Sequence, residues 1–116
     1  MIIHTDASVR DREVCFGFII RTEDTTYESS TFVAGEYTSV SGEYLSIQRA
    51  AEFASQLDDE RYVYIYTDCK EVAKNIQNNY RWTSRTRRLE QLLPQGFSIN
   101  YIPREWNTEA HQLVST

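Results

Sequence analysis

The sequence predicts a layered domain, α/β or α+β mixed, in which helices cover both faces of one five-stranded mixed sheet. Three observations predict it. The run Tyr62-Val63-Tyr64-Ile65-Tyr66-Thr67 is aromatic or β-branched throughout, and a short run apolar on both faces reads as a central strand covered on both sides. Three strand-like segments fill the first 34 residues with short links between them, whereas the later strands are separated by helical periodicity. Short links favour an antiparallel meander, and helical links favour parallel strands with right-handed crossovers. The order βββ, α, β, α, α, β, α follows, which folds as helices layered on a mixed sheet. At 116 residues the chain has the length of a single domain, 1–116, whose core needs no metal or disulfide to hold it.

Taken in order, Met1 to Asp6 reads as a strand ending in an aspartate, and Glu13 to Arg21 as a second strand rich in Val, Phe and Ile. Thr25 to Ala34 is more polar and suits a sheet edge. Gly35 to Gly42 reads as a polar loop. A helix then runs from Glu43 to Leu57, its core stripe being Ile47, Ala50, Ala51, Ala54 and Leu57. Glu43 falls on that stripe in the expected first turn, where a carboxylate also suits the helix dipole. After the central strand, Cys69 to about Asn79 forms a helix with Val72, Ala73 and Ile76 inward. Asn79 to Thr83 breaks the pattern. Ser84 can cap a further helix carrying Leu89, Leu92 and Leu93, which Pro94 and Gly96 end. Phe97 to Ile102 is a fifth strand, and Asn107 can cap a last short helix with Ala110, Leu113 and Val114 inward. No internal repeat or low-complexity tract interrupts this order. The cysteines, Trp106 and His4 read as packing residues.

Composition narrows the class. No apolar run approaches the roughly 20 residues that span a bilayer, and no cationic-then-apolar leader opens the chain. A membrane partner is therefore not expected. Cys15 and Cys69 match no metal-ligand spacing, so a reducing, cytoplasmic setting is the expectation. The net charge of −5 argues against indiscriminate nucleic-acid binding. Yet Lys70, Lys74, Arg81, Arg85, Arg87 and Arg88 gather half of the 12 cationic residues into one stretch. With Trp82 among them, that stretch offers charge to phosphates and a ring to a sugar or base. Arg85 and Arg88 also lie near the leucine stripe, where they could instead pair with acids at the rim of the core.

The chemistry rests on acids. Asp6 and Asp68 end strands one and four, and Glu43 opens the first helix. If strand four lies parallel beside strand one, all three converge at one sheet edge, where open α/β sheets place ligands. Asp68 with Glu71 also fits a helix capping box, which leaves a purely structural reading open. Clustered carboxylates repel, so such a group persists only with bound cations or raised pKa values. Oxygen-only donors suit Mg²⁺ or Mn²⁺ rather than zinc. Two such ions, roughly 3.5–4 Å apart, activate water and stabilise the leaving oxygen of a phosphodiester.

These residues carry a resemblance. His4-Thr5-Asp6-Ala7-Ser8 resembles the "TDGS" strand end of the small type-1 ribonuclease H family, and Gly42-Glu43-Tyr44-Leu45 with Arg49-Ala50-Ala51 resembles its "AEYLAL…AL" helix. Tyr66-Thr67-Asp68-Cys69 with Val72 resembles its "TDS..VV" segment, and Tyr101 to His111 resembles its "VPRE.N..AD" ending. The resemblance spans the whole chain and implies the ribonuclease H-like sheet, order 3-2-1-4-5. It implies metal-holding and catalytic roles for Asp6, Glu43 and Asp68. The family's fourth aspartate is His111 here. A neutral imidazole can still coordinate a metal, as in the Asp-Asp-His set of the Argonaute branch of this fold. Ser8, Thr38 and Ser39 fall where the family touches nucleic acid, alongside Arg81, Trp82, Arg85, Arg87 and Arg88. Val40 stands where the family has an asparagine, which weakens 2′-hydroxyl reading, and Val9-Arg10-Asp11-Arg12 replaces a glycine-rich stretch. The flexible-loop histidine of some members is absent.

The resemblance thus implies a monomeric endonuclease that cleaves the RNA strand of RNA–DNA hybrids with two Mg²⁺ or Mn²⁺ ions. Two other readings stand beside it. One is a non-catalytic ribonuclease H-like module that binds nucleic acid or protein, which the His111 departure and acidic charge keep open. The other is a DNA or junction nuclease of the same fold.

Overall fold

The fold is that of a computed structural model, which describes residues 1–77 and 84–115. Five strands form one sheet in the order β3-β2-β1-β4-β5. They are β1 (Ile2–Arg10), β2 (Glu13–Arg21), β3 (Thr26–Ala34), β4 (Val63–Thr67) and β5 (Phe97–Tyr101). The first three pair antiparallel, while β4 pairs parallel to both β1 and β5. The helices are α1 (Ser39–Ser55), α2 (Lys70–Gln77), α3 (Ser84–Leu92) and α4 (Thr108–Val114), with a 3₁₀ turn at Arg104–Trp106. This is the mixed sheet the sequence predicts, in the order the resemblance implies.

One continuous core forms between the sheet and three helices. Ile3, Phe18, Ile20, Ile65 and Ile99 meet Ile47, Ala50 and Ala54 of α1, Val72 and Ala73 of α2, and Leu89 of α3. Side chains alternate across a sheet, so Cys15, Gly17 and Ile19 face the other way, where α4 packs. A Cβ on Gly17 would meet Leu113 Cβ at 2.9 Å, so only glycine lets α4 approach β2 this closely. Ser30 Oγ donates to the Leu113 carbonyl at 2.7 Å and ties that helix to the edge strand.

Four expectations are corrected. First, β1 does not end at Asp6 but runs to Arg10. It pairs with β2 to its tip, around a tight turn where Arg12 takes a φ of 61°. Only the parallel pairing with β4 stops before Asp6, and the β1–β4 register carried two residues past His4–Tyr66 sets Asp6 level with Asp68. Second, α1 starts at Ser39 rather than Glu43. Thr38 and Ser41 close a capping box, and Gly42 lies inside the helix, where a Cβ would press on Val9 and Val14 at 3.0 and 3.2 Å. Glu43 therefore lies beyond the first turn, where the dipole has faded.

Third, β4 is buried on one face only. Tyr64 is 46% exposed, because the short α4 covers β1, β2 and β3 and leaves the outer face of β4 open; tyrosine tolerates this by wetting its hydroxyl. Fourth, Asn107 sits at the start of α4 without a side-chain cap bond. Its buried amide donates instead to the Thr5 carbonyl at 2.9 Å. Ser84 is itself the first residue of α3. The expected end of α2 near Asn79 and the break at 79–83 lie outside the described residues.

Candidate metal centre and nucleic-acid interface

Asp6, Glu43 and Asp68 each offer a carboxylate oxygen within 4.8 Å of the others. Asp6 comes from mid-β1, Asp68 from the bend after β4, and Glu43 from the second turn of α1. Ser46, one turn along α1, donates to the carbonyls of Asp6 and Gly17 at 3.0 and 2.9 Å, which fixes that helix over the strand. Asp6 is 2% exposed and Glu43 6%.

Burial without partners is what marks this group. Glu43 Oε2 and Asp68 Oδ2 are buried with no hydrogen-bond partner among the described residues, an arrangement that costs free energy unless a ligand supplies one. Burial pushes the Glu43 carboxyl up to about 9, helped by the charge of Asp6, a proton-sharing bond to Asp6 and the charge of Asp68; the Ala7 backbone N–H opposes this. Burial and the charge of Asp6 also raise Asp68, while Arg104 and His111 hold it back. Without a cation, the Glu43 carboxyl therefore stays protonated at neutral pH, as crowded carboxylates require. The capping role open to Asp68 is not taken: Thr67 Oγ1 accepts the Cys69 N–H at 3.1 Å, and Asp68 Oδ2 lies 3.6 Å from Arg104 Nε. Hard oxygen donors with orphaned lone pairs fit a divalent cation such as Mg²⁺ or Mn²⁺.

His111 is brought to the same place from α4. Its Nδ1 lies 2.9 Å from Asp6 Oδ2, so it abuts the carboxylate group through Asp6. Asp6 Oδ1 accepts the Ala7 N–H at 2.9 Å.

The other expected contacts divide. Arg85, at the start of α3, lies over the Tyr44 ring at 4.5 Å, and Tyr44 follows Glu43 directly. It is thus held against α1 through that ring. Arg87 and Arg88 are exposed on the same helix. The Thr38 hydroxyl is committed to capping α1; Ser39 is exposed beside it, and Ser8 is half-buried in β1 opposite Cys15. Arg81 and Trp82 lie outside the described residues.

Sequence reasoning missed part of the rim. Lys70, two residues after Asp68, lies over the ring of Tyr101 at 5.1 Å. Arg104 pairs with Asp68. Trp106, read as a packing residue, is 74% exposed. The sequence signals for this rim are Lys70 in the basic stretch and the Pro-Arg-Glu run of the closing motif. His4 does pack, its ring stacked on Tyr66 at 5.2 Å. Two larger concavities lie elsewhere, a groove of about 710 Å³ between α2, α3 and β5 and one of about 870 Å³ at the far end of the sheet. An open carboxylate ledge, rather than a closed pocket, suits a polymer lying across the sheet edge.

Comparison with known proteins agrees with this geometry. A ribonuclease H1 named LC11, solved in complex with an RNA/DNA hybrid, superimposes with a TM-score of 0.79 at 26% identity, covering 97% of this chain and 92% of that one; LC11 was isolated from compost by a metagenomic approach. The ribonuclease H1 of the halophilic archaeon Halobacterium salinarum superimposes with a TM-score of 0.81 at 20% identity, covering 97% and 92%. The N-terminal ribonuclease H domain of a Mycobacterium tuberculosis protein gives 0.80 at 19% identity, covering 97% and 94%. A search of curated proteins finds no match. The profile of the family described as reverse transcriptase-like matches residues 4–116. With that match and the ribonuclease H1 neighbours, the chain belongs to the reverse transcriptase-like family and has the ribonuclease H-like fold.

Proposed function

We propose that the protein is a metal-dependent endonuclease that cleaves the RNA strand of an RNA–DNA hybrid, leaving a 5′-phosphate and a 3′-hydroxyl. One observation carries the reading: three converging carboxylates, with Glu43 Oε2 buried without a hydrogen-bond partner and Asp68 Oδ2 met only by Arg104 Nε at 3.6 Å. Bound divalent cations, Mg²⁺ or Mn²⁺ and two in number, would supply the positive charge that makes water a nucleophile at neutral pH and stabilises the leaving oxygen. Asp6 and Asp68 would hold them, as the level register of the two residues allows. Glu43, which reaches the group from α1, would hold one ion and orient the attacking water. His111, against Asp6, adds the fourth donor where the family has an aspartate.

The remaining residues bind and position. Arg85, held on Tyr44, and the exposed Arg87 and Arg88 would meet backbone phosphates, with Arg81 and Trp82 continuing the same stretch. Ser8, Thr38 and Ser39 would touch the strand where it crosses the mouth of α1. The hybrid as substrate draws support from the neighbour solved with one. The protein would act as a cytoplasmic monomer.

The test is direct. Pure protein is incubated with labelled RNA–DNA hybrid, duplex RNA and duplex DNA, each with Mg²⁺ or Mn²⁺. Cleavage confined to the RNA strand of the hybrid is expected. Cleavage of DNA instead would make it a DNA nuclease of this fold, and binding without cleavage under both metals would make it a silent module.

A further inference from the structure

Trp106 has no packing role. It is 74% exposed, although an indole gains more from burial than almost any side chain. Its backbone, in contrast, is firmly held. The Trp106 N–H donates to the Pro103 carbonyl and the Asn107 N–H to the Arg104 carbonyl, both at 2.9 Å. Asn107, next in sequence and buried, is anchored through its amide to Thr5 O beside Asp6. Two residues before Trp106, Arg104 reaches Asp68. The turn and the residue after it are thus tied to the Asp68 carboxylate and to the Thr5 carbonyl beside Asp6, and with about 3.8 Å per Cα step Trp106 stands within two steps of the two residues that make those ties.

Its surroundings say what it meets. Arg104 and the Lys70–Tyr101 pair present cations and a second exposed ring at the same end of the sheet, with Glu105 the acid of the turn. Cations for phosphates and flat rings for bases or sugars are the two components of a nucleic-acid strand site. We propose that Trp106 is a nucleic-acid contact, stacking on a base or sugar of the strand that crosses the carboxylate centre. The assignment rests on the nuclease reading above and extends it to a rim that the basic stretch at 81–88 does not supply.

The experiment uses the two-tryptophan composition. In Trp82→Phe, Glu43→Gln protein, which leaves the hybrid intact and Trp106 the only indole, a fluorescein-labelled RNA–DNA hybrid is titrated with Mn²⁺ present. Anisotropy and indole emission are both recorded. Trp106 emission is expected to quench in step with the anisotropy. Adding Trp106→Ala should weaken binding about thirtyfold, the middle of the range for one stacked base, and Trp106→Phe should recover most of the loss. In the turnover assay, Trp106→Ala of otherwise wild-type protein should raise KM more than it lowers kcat. Saturating anisotropy with unchanged indole emission, or Trp106→Ala binding as tightly as Trp106→Phe, overturns the Trp106 assignment and leaves the nuclease reading standing. Failure of wild-type protein, with Trp82 and Glu43 in place, to bind the hybrid overturns the nuclease reading, and this assignment with it.

Discussion

Two groups of acids lie at opposite ends of β4, and they behave as different chemical objects. At its carboxyl end, Asp6, Glu43 and Asp68 are drawn from three elements into a buried cluster with orphaned oxygens. At its amino end, Glu23, Asp24, Asp58, Asp59 and Glu60 line an open groove with Arg61. There Arg61 pairs with Glu23 across two exposed side chains, its backbone N–H donates to Asp59 Oδ1 at 3.0 Å, and Glu23 raises the guanidinium in return. Water and one arginine satisfy the distal acids. Glu43 Oε2 has no hydrogen-bond partner among the described residues, and Asp68 Oδ2 has only the Arg104 guanidinium, 3.6 Å away. Counting acids therefore locates nothing; burial without a partner does.

The largest expected effect is on catalysis. Asp6→Asn or Asp68→Asn should lower hybrid cleavage by more than about a hundredfold, since losing even a group that only supports a metal ligand costs roughly 10–100-fold. Thermal unfolding should show these variants intact or slightly stabilised, because like-charge repulsion is relieved. Asp58→Asn and Asp59→Asn should cleave within about twofold of wild type. A loss of about 1–2 kcal/mol in Asp68→Ala, which unlike asparagine cannot cap, would revive the capping role that its geometry does not show.

Next is the pH dependence of stability without metal. Glu43 and Asp68 are raised in the fold, so the native state binds more protons than the unfolded one above the ordinary carboxyl range. Their contribution is present in full below about pH 4.5 and is lost as pH rises through about 9 for Glu43. In EDTA, the melting temperature should fall from pH 5 to pH 9 by several degrees, since each tenfold change in proton affinity on folding is about 1.4 kcal/mol. Glu43→Gln should flatten that slope, Asp59→Asn should not, and Mn²⁺ should stabilise most at the alkaline end. A Glu43→Gln curve parallel to wild type would place the proton elsewhere.

His111 tests the site's donor set. A neutral nitrogen in place of an anionic oxygen removes charge, weakens hard Mg²⁺ and relatively favours Mn²⁺. Wild type should work about tenfold better with Mn²⁺, His111→Asp should narrow that ratio, and His111→Ala should be slow with either ion. Equal metal ratios in all three would confine His111 to its hydrogen bond with Asp6.

Much of this was legible in the sequence, and the failures have physical causes. The resemblance carried by the four motifs implied the strand order and so brought the three acids to one edge, whereas apolar patterning gave the elements but left the pairing of strand four with strand one open. Glu43 reads as first-turn because Gly35 to Gly42 looks like a loop; glycine at 42 reflects instead the close approach of Val9 and Val14, a tertiary fact. Tyr64 reads as core because tyrosine is compatible with both environments. Asn107 reads as a cap because asparagine caps helices well, yet its amide crosses to Thr5. Trp106 looked like packing because tryptophan usually is. Side chains that bridge distant segments are what periodicity cannot show.

The smallest expected effect is Arg85→Ala. It should lower the salt slope of hybrid affinity by about one, as loss of one phosphate contact does. An unchanged slope would leave Arg85 as a partner of Tyr44 alone.

The central claim is that the buried acids, and not the exposed ones, form the divalent-cation centre. Calorimetric titration of Mn²⁺ into wild type, the Asp6→Asn, Asp68→Asn double variant and the Asp58→Asn, Asp59→Asn double variant tests it most directly. Saturable binding should survive in the distal variant with wild-type affinity and vanish in the central one. Wild-type binding by the central variant, with loss in the distal one, would contradict the account.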